Sequence, residues 1–263
     1  MNIVDIHTHL YPEPDMDVES SLSDRRVDEI ARDYARRIEA SPVDHAVAIV
    51  MDEEFLWNDE AVASLCSARD ETDVFSLVFL IDPTRDDAAE LVELAADAGA
   101  VGVKFHPYIH ALGRDTYPAV ERVGTVLDEN DLLTVVDCSY GSKRHYEANG
   151  VELGHELARG VDSPVLLTHG GGPRVLDAFA ATEAMENVYV DTSFSLSYWE
   201  GSTVIKDYGF VAEKLDDCRL LWGSDHPYVD QEESLKRART FADSHVTDRG
   251  AYFGAAAREL LRL

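Results

Sequence analysis

Apolar positions along this chain fall into short runs, and amphipathic stretches separate one run from the next. In the opening stretch Val4, Ile6 and Thr8 share one face at a period of two, while Asp5, His7 and His9 share the other. The first face is mainly apolar and suits packing under helices. Further runs of strand length cover 46–51, 74–81, 101–106, 132–137, 164–169, 188–191 and 220–225. Continuous runs of this kind predict strands buried on both faces, as in parallel sheets. Between them the spacing turns helical. Val27, Ile30, Tyr34 and Ile38 predict a helix from Asp24 onward that Pro42 stops. Further helices are predicted near 61–68, 88–95 (with Gly99 as its C-cap), 120–127, 154–159, 175–179 and 204–214, and two more near 232–241 and 255–261 close the chain. Leu10 to Ser23, with Pro12 and Pro14, reads as a polar loop.

Eight strands alternating with helices call for a parallel sheet with right-handed crossovers. Over 263 residues that predicts one α/β domain spanning 1–263, a (β/α)8 TIM barrel. An open doubly wound sheet is the alternative. Against it, no Gly-rich phosphate loop follows the first strand, and the chemically distinctive residues sit at many strand ends rather than at one crevice. The chain shows no linker, low-complexity segment or internal repeat.

In such barrels the active site lies at the C-terminal mouth. His7 and His9 (strand 1), Lys104 and His106 (strand 4), Asp137 (strand 5), His169 (strand 6) and Asp225 (strand 8) each close a run that otherwise avoids charge. Any one of them is explained by a strand meeting solvent. Five strands carrying such groups to one rim point to a site. Two imidazoles at alternate strand positions can reach one cation without bending the backbone, and His is the commonest metal ligand.

Composition narrows the function. An apolar fraction of 45% fits a folded globular chain. Against 51 Asp plus Glu stand 23 Lys plus Arg, a formal charge of −28, which opposes binding to nucleic acid or anionic membrane. A small-molecule substrate is the expected partner, and self-association into a homo-oligomer stays open. Lysine occurs only at 104, 143, 206, 214 and 236; acid-rich, lysine-poor surfaces resemble those of salt-loving (halophilic) proteins. Cys66, Cys138 and Cys218 are too few and too scattered for a disulfide framework or a Cys-rich zinc site. No stretch approaches bilayer-spanning length, and the N-terminus begins a strand candidate rather than a leader, so a cytoplasmic location is expected.

The segments Asp5-Ile6-His7-Thr8-His9, Gly102-Val103-Lys104-Phe105-His106-Pro107, Leu167-Thr168-His169-Gly170-Gly171 and Leu221-Trp222-Gly223-Ser224-Asp225-His226-Pro227 occur in this order over nearly the whole chain. Together they make the sequence resemble the amidohydrolase superfamily, and within it the branch that includes aminocarboxymuconate-semialdehyde decarboxylase. The stretch from Phe253 to Leu261 is similar to the family's terminal helix, with Ala256 where an Asn is common. The resemblance implies that His7 and His9 bind a divalent metal, usually zinc. It implies that Asp225 binds the metal or takes a proton from water, and that His169 is a ligand or a catalytic acid.

The family's metal-binding His at the end of strand 5 is replaced here by Asp137, an oxygen ligand that zinc or manganese would accept, with Cys138 on the opposite face. Lys104 bridges two metals, when carboxylated, in some superfamily members. In the branch resembled here it orients substrate, and a mononuclear site is expected. A buried ion pair with Asp5 is the structural alternative for Lys104, and His106 could compensate for the missing imidazole. His45, His110, His145, His155, His226 and His245 are expected to be solvated or structural. Arg174 could bind a substrate carboxylate or simply lie on a helix surface, and Tyr108, Tyr140, Trp199 and Tyr228 could line a pocket.

The reading is a metal-dependent hydrolase acting on a small amide, ester or lactone. Nonoxidative decarboxylation, a metal-free lactonase and a non-catalytic binding barrel are the alternatives.

Overall fold

Strand β1 (Val4–His9) is followed by helix α1 (Val27–Ala40), β2 (His45–Val50), α2 (Asp59–Thr72), β3 (Phe75–Leu80), α3 (Ala88–Asp97) and β4 (Gly102–Phe105). A short helix α4 (Pro107–His110) and a longer α5 (Tyr117–Glu129) lead to β5 (Leu133–Val136), α6 (Gly150–Ala158), β6 (Val165–Leu167) and α7 (Val175–Ala184). The chain ends with β7 (Val188–Asp191), α8 (Ser195–Tyr198), α9 (Val204–Lys214), β8 (Leu220–Leu221), α10 (Gln231–His245) and α11 (Ala256–Leu261). The computed structural model describes residues 2–10, 27–140, 144–215 and 218–263. The loop expected from Leu10 to Ser23 therefore lies outside the described residues apart from Leu10, as does Asp24, the expected start of α1.

The eight strands pair in parallel and in sequence order, from β1 to β8. Backbone bonds close the circle. Ile6 N–H donates to Trp222 O (3.2 Å), Asp225 N–H to His7 O (2.8 Å) and His9 N–H to His226 O (2.8 Å), and Thr8 forms a parallel bridge with His226. The result is the (β/α)8 TIM barrel that the alternation predicts.

Local chemistry explains where the helices begin. Asn58 accepts from Ala61 N–H at the start of α2, Asn149 from Glu152 N–H at the start of α6, and Asp230 from Glu233 N–H at the start of α10. Neither α4 nor α8 shows in the apolar periodicity, because four residues are too few to display one. Pro107 opens α4, where a missing N–H costs nothing, and His106 caps it by accepting from Ile109 N–H.

The pairing of β1 with β2 shifts register between Asp5 and Thr8, and from His7 on the two faces separate. Thr8 turns to the helix layer, where its hydroxyl donates to Val47 O (2.7 Å) and meets the Tyr34 hydroxyl of α1. His7 and His9 turn to the barrel interior. Among the described residues no helix is long and apolar enough to cross a membrane.

Candidate functional site

His7 and His9 lie within strand β1, whose pairing with β2 shifts register between Asp5 and Thr8, whereas His169 and Asp225 lie beyond their strands. Both were expected at the ends of strands, yet the ladder of β6 stops at Leu167 and that of β8 at Leu221. His169 (φ 56°) and Asp225 (φ 64°) both have left-handed backbone, a conformation that costs a non-glycine residue about 1–3 kcal/mol and persists only where the surroundings impose it. His169 N–H donates to the Asp191 carboxylate (2.9 Å), and Asp225 N–H to His7 O.

The turn that carries Asp225 is anchored from below. Asp5, fully buried, accepts from Ser224 N–H and from the Gln231 side-chain amide, each at 2.8 Å. Burial drives the Asp5 carboxyl up to about 7 despite these donors. Gly223 makes the close approach possible, since a Cβ there would lie 2.9 Å from His7 Cβ and 3.2 Å from Ser193 Cβ. Gly223→Ala is therefore expected to cost about 1–3 kcal/mol in urea unfolding through overpacking.

The ligating atoms of His7, His9 and Asp225 all lie within 4.8 Å of one another, and all three residues are buried. His9 Nε2 is 3.1 Å from Asp225 Oδ1, and His7 Nε2 is 3.5 Å from it. Burial lowers the pKa of both imidazoles, that of His9 to about 4, and the Lys104 charge adds to the effect. Both rings are thus neutral at physiological pH, the form that binds metal. For Asp225 burial acts upward, but the His9 hydrogen bond and the neighbouring imidazoles, His169 foremost, outweigh it and hold the carboxyl well below its usual range.

Asp137 stands outside this triad. Its Oδ2 lies 2.9 Å from Lys104 Nζ, 3.5 Å from His106 Nε2 and 3.6 Å from His169 Nε2. The side chain does point inward as alternation requires, but it faces Lys104, His106 and His169 rather than the three ligands. Burial would raise its pKa; the adjacent His106, Lys104 and His169 overcome that and hold it ionised. Asp137, not Asp5, is therefore the carboxylate partner of Lys104, whose Nζ also lies 3.4 Å from His7 Nε2. His106 lies beside Asp137 and outside the His7, His9 and Asp225 group. Cys138 points away, with Sγ against Val136 O (3.5 Å) and its thiol pKa raised well up by burial.

His169 sits between these groups. Burial alone would lower its pKa, but the Asp137 carboxylate 3.6 Å away and the charges of Asp225 and Asp191 raise it to about 9. It is an imidazolium at neutral pH, next to a triad of opposite character.

The structure adds two polar groups that the motifs do not include, Asp191 at the end of β7 and Ser193 just beyond it. Asp191 Oδ2 is 3.3 Å from His7 Nδ1, and Ser193 Oγ is 3.0 Å from His7 Nδ1 and 3.2 Å from His169 Nδ1. Their signal was the one carried by the other strands, a charged residue closing the apolar run from Val188 to Val190.

Tyr228 meets His9 edge-on (centroids 5.3 Å apart), and Phe194 of the Tyr140–Phe194–Tyr198–Trp199 cluster meets His169 edge-on. Tyr108 packs edge-on against His106. Arg174, partly buried just before α7, has a buried Nη1 with no hydrogen-bond partner among the described residues. His226 faces Arg37 of α1 at 2.6 Å, away from the triad. His110, expected to be solvated or structural, has a buried ring 2.6 Å from Glu53, and these two form a second, more exposed group with Asp82.

The sequence pattern of the amidohydrolase family matches residues 4–263. No curated protein sequence matches the chain. Among solved structures, a probable 2-pyrone-4,6-dicarboxylic acid hydrolase from Acinetobacter baumannii is similar at TM-score 0.68 and 16% identity over 100% of both chains. An amidohydrolase from Burkholderia multivorans with zinc bound is similar at TM-score 0.70 and 15% identity, again over 100% of both. A 4-oxalomesaconate hydratase from Rhodopseudomonas palustris follows at TM-score 0.58 and 13% identity, covering 99% of this chain and 95% of that one. At these identities the likeness shows a shared fold.

Proposed function

Because the chain belongs to the amidohydrolase family and is an enzyme of that superfamily, we propose that it hydrolyses a small amide, ester or lactone, with a divalent cation, zinc foremost, held by His7, His9 and Asp225. The observation that carries this reading is the buried triad itself, two neutral imidazoles and one ionised carboxylate within 4.8 Å. Its donor set suits zinc or manganese and is too small to fill the coordination sphere. When bound, such a cation supplies Lewis acidity and brings the pKa of water toward about 7.

The chain's own residues divide the remaining work. Asp225, ionised and within reach of the centre, takes the proton of the attacking water. His169 supplies a proton, or a charged hydrogen bond, to the carbonyl oxygen or leaving group. Asp137 keeps His169 charged, while Lys104 and His106 hold Asp137 in place. Tyr228 and the Phe194 cluster provide apolar walls.

The zinc-bound Burkholderia structure supports the metal, and the probable pyrone dicarboxylic acid hydrolase supports a lactone among the three substrate classes. The finer likeness to aminocarboxymuconate-semialdehyde decarboxylase rests on the sequence motifs. Carbon dioxide release from unsaturated acids would favour that branch. One observation favours a metal-free lactonase as a second reading: Lys104 Nζ already brings a positive charge to 3.4 Å from His7 Nε2.

Metal analysis and chelation separate the two. Purified protein is expected to carry about one metal equivalent per chain, as one such triad implies. Activity on an ester, lactone and amide panel should vanish on chelation and return with zinc. Full activity after complete metal removal would install the metal-free reading instead.

A further inference from the structure

We propose that Asp191, with Ser193, is a positioning pair that decides which ring nitrogen of His7 and of His169 carries a proton, turning the Nε2 atoms of both rings toward the centre of the site. The argument is a count of hydrogens. Asp191 is completely buried, and its Oδ1 accepts from His169 N–H (2.9 Å), Ser193 N–H (2.9 Å) and the Ser193 hydroxyl (2.5 Å). Its Oδ2 faces His7 Nδ1 at 3.3 Å. An ionised carboxylate can only accept, so His7 Nδ1 must be the donor.

The Ser193 hydroxyl has one hydrogen, and the short contact with Asp191 takes it. Toward His7 Nδ1 (3.0 Å) and His169 Nδ1 (3.2 Å) the oxygen can then only accept. His169 Nδ1 also meets the Ser193 carbonyl at 3.3 Å, a second group without a hydrogen. Both Nδ1 atoms are therefore N–H donors. A neutral His7 is left with a bare Nε2 lone pair, on the ring atom that lies 3.5 Å from Asp225 Oδ1 and 3.4 Å from Lys104 Nζ. His169 in turn directs Nε2, where its transferable proton resides, at Asp137.

One carboxylate thus orients a ring of the triad directly and, through Ser193, the ring assigned as acid, and it also holds the left-handed backbone of His169. Partners of this kind, behind a ligating imidazole, typically change metal affinity by about 10–100-fold when removed. That consequence rests on the proposed metal reading; the ring protonation does not.

The test uses metal-free protein labelled with 15N-histidine, near neutral pH, with long-range proton–nitrogen correlation spectra to tell bare ring nitrogens from protonated ones. Signals are assigned by their loss in His7→Gln and His169→Gln. The wild type is expected to show His7 protonated on Nδ1 and bare on Nε2. Asp191→Asn should shift His7 toward the other tautomer, and should weaken zinc binding about 10–100-fold in a chelator competition. Ser193→Ala should move the His169 Nδ1 signal while His7 stays protonated on Nδ1.

His7 protonated on Nε2 in the wild type, or ring patterns unchanged in both variants, would overturn the proposal. Should Asp191→Asn fail to fold, the wild-type pattern and Ser193→Ala decide it. A wild type that binds no zinc yet shows the stated ring pattern supports the positioning role and removes the metal reading alone.

Discussion

Asp225→Asn is expected to lower kcat/KM by about 10²–10⁴-fold, the range for loss of a general base. The substitution keeps the shape of the side chain and removes its charge and its ability to take a proton. It is also the substitution the backbone tolerates best. At φ 64° most side chains are strained, whereas Asn occupies this region readily. A loss of activity would therefore reflect chemistry rather than a collapsed turn, and unchanged thermal unfolding and circular dichroism would check that. Metal content should fall as well, because an amide oxygen is a poorer ligand than the carboxylate that His9 Nε2 faces at 3.1 Å. If the variant retained activity within about tenfold of wild type, short of the lower end of that range, Asp225 would be neither base nor ligand.

Much of this arrangement is visible before any coordinates. Long apolar runs such as 46–51 and 74–81 have one physical reading, strands buried on both faces, and they become β2 and β3. Along β1 the period of two places His7 and His9 inside and Thr8 outside, and this survives the register shift against β2 between Asp5 and Thr8. Beyond the regular strands alternation loses its meaning. The turns after β6 and β8 use left-handed residues, and nothing in the composition of His169 or Asp225 announces that; only the glycines at 170–172 and Gly223 hint at tight backbone.

Partner choice was less legible still. Asp137 does face inward, but whether it meets a metal ligand or Lys104 depends on the stagger of β4 against β5, where Lys104 pairs with Val135. Asp191 closes its strand as the other site residues do. It belongs to no motif, so its hold on two histidines appears only when β6, β7 and β1 are seen side by side.

His169→Gln is expected to lower kcat/KM by about 10²–10⁴-fold as well, and to change the pH profile in a way that loss of Asp225 does not. His169 is raised to about 9, so the active form is the imidazolium and the wild-type rate should fall as pH rises through that value. A cation in the triad disfavours a second charge beside it and sets that limb somewhat below 9 in metal-loaded protein. In His169→Gln the limb should disappear, since glutamine does not titrate.

Asp137→Asn should move the limb to lower pH without abolishing it, because the Asp137 carboxylate is the first contribution opposing burial. The same shift has a sign in stability. A histidine whose folded pKa exceeds its unfolded one stabilises the native state fully below about 6.5, and that contribution is lost as pH rises through about 9. Wild type minus Asp137→Asn, followed by urea unfolding across that window, should therefore shrink toward alkaline pH. An alkaline limb that survives His169→Gln at the same position would assign the titration to another group and remove His169 as the acid.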